Sequence, residues 1–410
     1  MARVQEPDCY LATLEGYRGG TLKQPIVRIG FAVASLGLVA AACGSTSSGS
    51  PTSSSKSSSP AVDKAGVAAA AAFVNKYSGV PSFVAPGPAF HASKLAGKKL
   101  FSIPASSSVP FVNTTDQDMG ALARKIGINY IDYPNQQQES QWVQGMDQAI
   151  SDKVNAIDLL AGIPPEALAP QIAQAKAAGI PVLDTNERDR SQAIDPNVTA
   201  YTFAPFKLSG ELMGAWAVAQ TKGKAHVLIV TSNADISSAA VQAGITQELH
   251  ATCPACTIAT TNVNPTSWAT HLQSTVEGEL AGNPSINYIL PVFDSMALFI
   301  TPAIQAANDT GKVFVASENG TPSVMNLIRT GNILTMDVGE NLQDVAAAGL
   351  DQAMRIMAGM KPGNEVINVR VFDKADINQA GNPVQGSKGY GSAYVAGFAK
   401  LWNEPTSIFS

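Results

Sequence analysis

No block of basic residues occurs in this 410-residue chain, where 27 Lys and Arg stand against 32 Asp and Glu and the formal net charge is -5. Without a dense positive surface there is nothing to hold a polyanion, so no nucleic-acid partner is expected. Histidine is scarce too. The four residues, His91, His226, His250 and His271, show no metal-ligand spacing, and neither a His-Glu-x-x-His pair nor a Gly-x-Ser-x-Gly turn is present. Together these gaps point away from an enzyme, with no metal and no cofactor expected. Carboxylate pairs such as Glu187 with Asp189, two apart on a segment that reads as a loop, are expected to face solvent. Charged residues make up 14% and hydrophobic residues 45% of the chain, a globular composition. The length suffices for two core-bearing lobes once a leader and a linker are set aside.

The uncharged run IGFAVASLGLVAAA at 29–42 has fourteen residues, too few for a helix to cross a hydrocarbon core of about 30 Å. Arg18, Lys23 and Arg28 precede it and Ala40, Ala41 and Ala42 end it, the layout of a secretion signal with its cleavage site. The stretch LVAAACGS resembles the lipobox of bacterial lipoproteins. That resemblance implies a signal peptide over 1–42, with Cys43 as the lipidated new N-terminus. Residues 45–59 then hold ten serines in fifteen positions, so 43–62 reads as a flexible tether. The order of leader, lipid site, tether and fold implies a protein anchored at the outer face of the cytoplasmic membrane.

After a helical lead-in over 63–96, short β-prone runs alternate with amphipathic helices, which predicts parallel sheets. Strands are expected at 99–104, 129–133, 156–160, 181–184 and 200–203, then at 225–231, 257–260, 286–291, 312–316 and 333–337. Helical faces recur between them, for instance Leu208, Leu212, Ala215, Trp216 and Ala219 ending at Gly223, and Leu342, Val345, Ala346, Ala353, Ile356 and Met357 in 341–359. Buried strands flanked by helices on both faces give an α/β fold of two Rossmann-like, doubly wound lobes, in which ligands sit beyond the carboxyl ends of the strands.

At this level the chain resembles the ribose-binding-like solute receptors, the type I periplasmic binding proteins. The resemblance covers roughly residues 97–372 through VPF at 109–111, KVNAIDLL at 153–160, KAAGIPVLDTN at 176–186, PTSW at 265–268, FDSMAL at 293–298 and SENGTP at 317–322. It implies two lobes joined by a three-segment hinge, with lobe one as 97–203 and 336–368 and lobe two as 204–335 and 369–410. It further implies closure around a small polar solute, sugar-like in character, and delivery to an ABC permease by a monomeric receptor. By the same likeness Phe111 and Trp268 would cover the two faces of a sugar ring, from opposite lobes. Asn186, Asn319 and Asp337 would meet its hydroxyls, and Arg188 and Phe293 stand at or beside family ligand positions. Asp294, just before a helix, reads as a cap.

The chain departs from the family where an Asp-Arg pair is replaced by Asn186-Glu187, where an arginine becomes Val241, and where an Asn becomes Phe293. A ribose-type hydrogen-bond set is therefore not expected. Cys253-Pro-Ala-Cys256 has the spacing of a redox motif but follows a helix rather than opening one, which favours a local disulfide. The segment 381–388 has the glycines of a phosphate loop, but its lysine follows the hydroxyl residue instead of preceding it. The leading expectation is a transport receptor; a receptor feeding a membrane signalling protein uses the same fold and cleft.

Overall fold

The computed structural model describes residues 63–365 and 367–410, so the expected leader, the expected lipid site Cys43 and the expected tether lie outside the described residues. No helix among the described residues is long and apolar enough to cross a membrane.

The chain builds one sheet, then a second. Strands β1 (Lys99–Pro104), β2 (Asn129–Asp132), β3 (Ala156–Leu160), β4 (Val182–Thr185) and β5 (Ala200–Thr202) pair in parallel, in the order β2-β1-β3-β4-β5. Strands β6 (His226–Thr231), β7 (Thr257–Asn262), β8 (Tyr288–Pro291), β9 (Phe314–Asn319), β10 (Leu334–Glu340) and β11 (Val369–Asp373) form the other, in the order β11-β10-β9-β8-β6-β7. Only β11 runs antiparallel. The central strands β3, β4 and β8 are buried at every position, whereas the edge strands β2 and β7 carry exposed polar residues. That contrast is what a sheet covered on both faces produces.

Helices α1 (Lys64–Lys76), α2 (Pro110–Ile126), α3 (Glu139–Ser151), α4 (Ala169–Ala177), α5 (Phe206–Gln220), α6 (Ser237–Thr252), α7 (Gln273–Gly282), α8 (Ala297–Ala306), α9 (Pro322–Met325), α10 (Leu342–Met357) and α11 (Ala393–Trp402) supply the covering layers. Alternation along the strands decides which layer each side chain meets. In lobe one, Leu100, Ala156 and Leu160 join the α2, α10 and α11 side, while Phe101, Ile103, Ile157 and Leu159 join Trp142, Met146 and Ile172 on the α3 and α4 side. In lobe two, α5 and α6 touch backbone to backbone. A Cβ on Gly210 would lie 2.1 Å from the Val241 carbonyl oxygen, and one on Gly244 would lie 2.0 Å from that of Lys207. Glycine is required at both places.

The lobe boundaries differ from the expected division. Strand β10 remains paired with β9 as far as Gly339 and with β11 as far as Glu340, so the crossing falls at Asn341 rather than at 335–336. There the Asn341 side chain accepts from the backbone N–H groups of Gln343 and Asp344, starting α10 on lobe one. Likewise the C-terminal residues assigned to lobe two return to lobe one. Phe398, Leu401 and Trp402 of α11 share its core, and the Trp402 indole donates to Asp351 of α10 at 2.7 Å. Helix α1 meanwhile packs on α5 and α6 of lobe two. Besides the three passages at 203–205, 340–342 and 367–369, the N-terminal and C-terminal segments thus each cross once more.

Candidate ligand-binding cleft

A cavity lies between the lobes, beyond the carboxyl ends of both sheets, and almost every strand leading to it contributes a wall residue. After β1 come Ala105 and Ser106, after β2 Gln137, after β3 Ala161 and Gly162, and after β4 Asn186 and Glu187. From the other lobe come Asp235 and Ser237 after β6, Pro265 and Trp268 after β7, Phe293 and Ser295 after β8, and Asn319 at the end of β9. Phe111 in the first turn of α2 and Phe206 at the start of α5 complete the aromatic surface. The space between the walls is about 530 Å³, a slot of the size that takes a single small molecule.

The backbone is held in an unusual conformation around this slot. Gln137, Ala161, Asn186 and Asn319 all have positive φ, at 60°, 55°, 59° and 125°. Such strain persists only where surrounding bonds fix it. The Ala161 N–H donates to Thr185 O at 2.7 Å and the Asn186 N–H to Thr202 O at 2.8 Å, tying each strand end to its neighbour.

Trp268 belongs to the wall and to the core at once. Its indole N–H donates to the Val263 carbonyl at 2.9 Å, its ring centroid lies 6.2 Å from that of Phe293, and only 7% of the residue is exposed. Asn186 donates through Nδ2 to Glu340 Oε2 at 2.6 Å, which leaves its side-chain carbonyl to the cavity. Asn319, with its amide turned to donate to the Glu318 carbonyl at 3.0 Å, sits at the floor.

Five of the seven residues expected from the sequence therefore line one cavity: Phe111, Asn186, Trp268, Phe293 and Asn319. Arg188 does not. Its guanidinium is bonded to both carboxylate oxygens of Glu166 at 2.6 and 2.7 Å and to the Ala193 carbonyl at 2.7 Å, with Asp184 3.6 Å away, and so braces the loop after β4. Asp337 does not either. It accepts from Ser317 Oγ at 2.6 Å and from the Gly320 N–H at 2.9 Å, fully buried beneath the floor. Nor does Asp294 cap its own helix; it accepts from the N–H and the hydroxyl of Thr321 at 2.6 and 2.7 Å, pinning the same floor loop.

Glu187 and Asp189, expected to face solvent, are buried at 1% and 8% exposure. Glu187 Oε1 accepts from the Ile236 N–H of lobe two at 3.3 Å, while Gln192 Nε2 donates to the Ile236 carbonyl at 2.7 Å. The lobes thus meet across the mouth of the cleft. Burial, with Asp184 and Asp235 adding to it, holds the Glu187 carboxyl well above its ordinary range, against the Ile236 N–H and Arg188. Asp235 is pushed up to about 6 by burial, against the Ser232 hydroxyl that donates to it. The wall residues Ser106, Gln137, Glu187, Phe206, Asp235, Ser237 and Ser295 were missed in the sequence, although the strand-end rule would have found most of them. Away from the cleft, Cys253 and Cys256 are joined by a disulfide just after α6, with Cα atoms 5.4 Å apart.

The description of the family whose pattern fits this chain is "Periplasmic binding protein domain", and the match runs over residues 100–361, more than half of the length. The chain belongs to this family. As a periplasmic binding protein domain it is a transport-type solute receptor rather than an enzyme. Among curated proteins it is 32% identical over 88 residues to the D-allose-binding periplasmic protein of Escherichia coli K12; the aligned part is 22% of this chain and spans about a quarter of that relative, 27%. Among solved structures it resembles an ABC transporter solute binding protein from Agrobacterium vitis with bound allitol. The TM-score is 0.63 at 17% identity, over 71% of this chain and 100% of the other. A periplasmic solute binding protein from Actinobacillus succinogenes 130z with bound D-allose gives a TM-score of 0.61 at 20% identity, covering 68% and 99%. At these identities the structural likeness speaks for the fold.

Proposed function

We propose that this chain is the extracytoplasmic receptor of an ABC importer, closing its two lobes on one small polar solute of sugar size. The observation that carries the reading is the single slot between the lobes. Its aromatic faces come from both sides, Phe111 from one and Trp268 with Phe293 from the other, and its amides and hydroxyls ring the same space. Flat rings bury the C–H surface of a cyclic polyol, and amides match hydroxyls that both donate and accept. D-allose, a sugar that closes into such a ring, and allitol, its open-chain polyol counterpart rich in the same hydroxyls, are the ligands of related proteins. Closure follows from a ligand that touches both walls, because only the shut state offers all contacts together.

Phe111, Asn186, Trp268, Phe293 and Asn319 are the proposed ligand contacts, with Arg188 and Asp337 as positioning residues behind them. Cys43 is the proposed lipid site and 43–62 the tether, which keeps the receptor, acting as a monomer, near its permease. A thermal-shift screen against sugars, polyols and small amines tests the solute reading. A rise in melting temperature with one class supports it, and no response to any of them refutes it. Cys43→Ala is expected to move the protein from the membrane fraction to the soluble one; retention in the membrane fraction would remove the lipid anchor from the account.

A further inference from the structure

We propose that the cleft selects a sugar or cyclitol bearing an amino group, bound as its ammonium between Glu187 of the first lobe and Asp235 of the second. This deepens, and rests on, the reading of the cleft as a solute site. Glu187 is 1% exposed, lines the cavity, and has one oxygen, Oε2, with no partner in the protein. Asp235 lines the opposite wall, with Oδ2 taken by Ser232. Both carboxylates converge on one corner: Glu187 Oε2 and Asp235 Oδ1 lie 3.9 and 3.8 Å from the point a Cβ on Gly162 would occupy. The missing side chain at Gly162, whose φ is 119°, keeps that corner open.

No Lys, Arg or His is among the residues that line the cavity. Arg188, next in sequence to Glu187, is turned away into Glu166, the Ala193 carbonyl and Asp184. The titratable groups around the corner are therefore Glu187, Asp235, Asp184 and Glu166 against one arginine. A hydroxyl placed there would satisfy one acceptor and leave the excess negative charge unanswered. An ammonium brings three donors and no acceptor, and its charge answers that of the carboxylates. Burial raises both carboxyls, and a cation between them would draw both back toward ionisation.

The test is titration calorimetry on the full chain in mild detergent at pH 7, with three matched sets: glucosamine, glucose and N-acetylglucosamine, and the galactose and mannose equivalents. In at least one set the amine is expected to bind about tenfold or more tightly than both its neutral partners. Glu187→Gln and Asp235→Asn should each erase that preference, read within each variant as the ratio of amine to neutral-sugar affinity; the second variant covers a folding defect in the first. Neutral sugars binding as tightly as the amines, or a preference that survives both variants, overturns the inference and leaves the solute-receptor reading standing. No binding by any member of the sets overturns the sugar reading and the inference with it.

Discussion

A ring that served only the ligand could be removed without weakening the fold, but Trp268 is not placed that way. It is 7% exposed, belongs to the lobe-two core, and satisfies the Val263 carbonyl through its indole N–H. Trp268→Ala should therefore weaken folding by about 3–5 kcal/mol, the range for deleting a large buried aromatic. It should also weaken solute binding by about 1–3 kcal/mol through loss of the wall it forms. Trp268→Phe separates the two roles. It keeps a ring at the cavity but leaves the Val263 carbonyl without its donor, so stability should fall by about 1–3 kcal/mol while binding changes less. Urea unfolding of the empty protein reads the first quantity and calorimetry with the solute found by screening reads the second. An unchanged urea midpoint in Trp268→Ala would refute the core assignment, and unchanged affinity would refute the wall.

Removing the brace should be felt beyond the residue itself: Arg188→Ala takes a cation from buried Asp184 and both bonds from Glu166, and a loss of about 1–3 kcal/mol in urea unfolding is expected. Gly244→Ala drives a methyl against the Lys207 carbonyl and must separate α5 from α6, so destabilisation of about 1–3 kcal/mol or more is expected, and a wild-type melting curve would contradict the close packing. Burial raises Glu340 and Asp344 to about 7 and Asp337 to about 6. Because these carboxyls hold protons more tightly when folded than when unfolded, their contribution is complete below about pH 4 and is lost as pH climbs towards about 7. Melting temperature at constant ionic strength should accordingly be higher at pH 5 than at pH 8, and the reverse order would contradict it.

The strands could be read from the sequence because burial on both faces leaves an apolar signature. Residues such as Ile157, Leu159 and Leu160 permit little else, and the wall residues at strand ends follow from that placement. The failures share a cause. Glu187 and Asp189 look like solvent-facing acids by composition, and only tertiary contacts engage them: Glu187 accepts from the Ile236 N–H and Asp189 from the Lys207 N–H. Asp337 sits near a strand end as a ligand residue would, but it lies within β10 and its side chain goes under the Asn319 turn. Arg188 follows Glu187 by one residue and points the other way, where Glu166 waits from a distant part of the chain. The return of α11 to lobe one depends on Trp402 meeting Asp351, a pairing between residues 51 apart that no local pattern announces.

The two ends of the described chain rest on different halves of the molecule. Helix α1, beginning at Lys64, lies against α5 and α6, whereas the Ser410 carbonyl accepts from Lys125 on α2, and the Phe409 carbonyl from Gln343 on α10. Swinging of one half against the other must therefore alter the separation of the ends. Fluorescent dyes attached near residues 63 and 410 would turn that change into an optical signal, making the chain a reagentless sensor for whatever it captures.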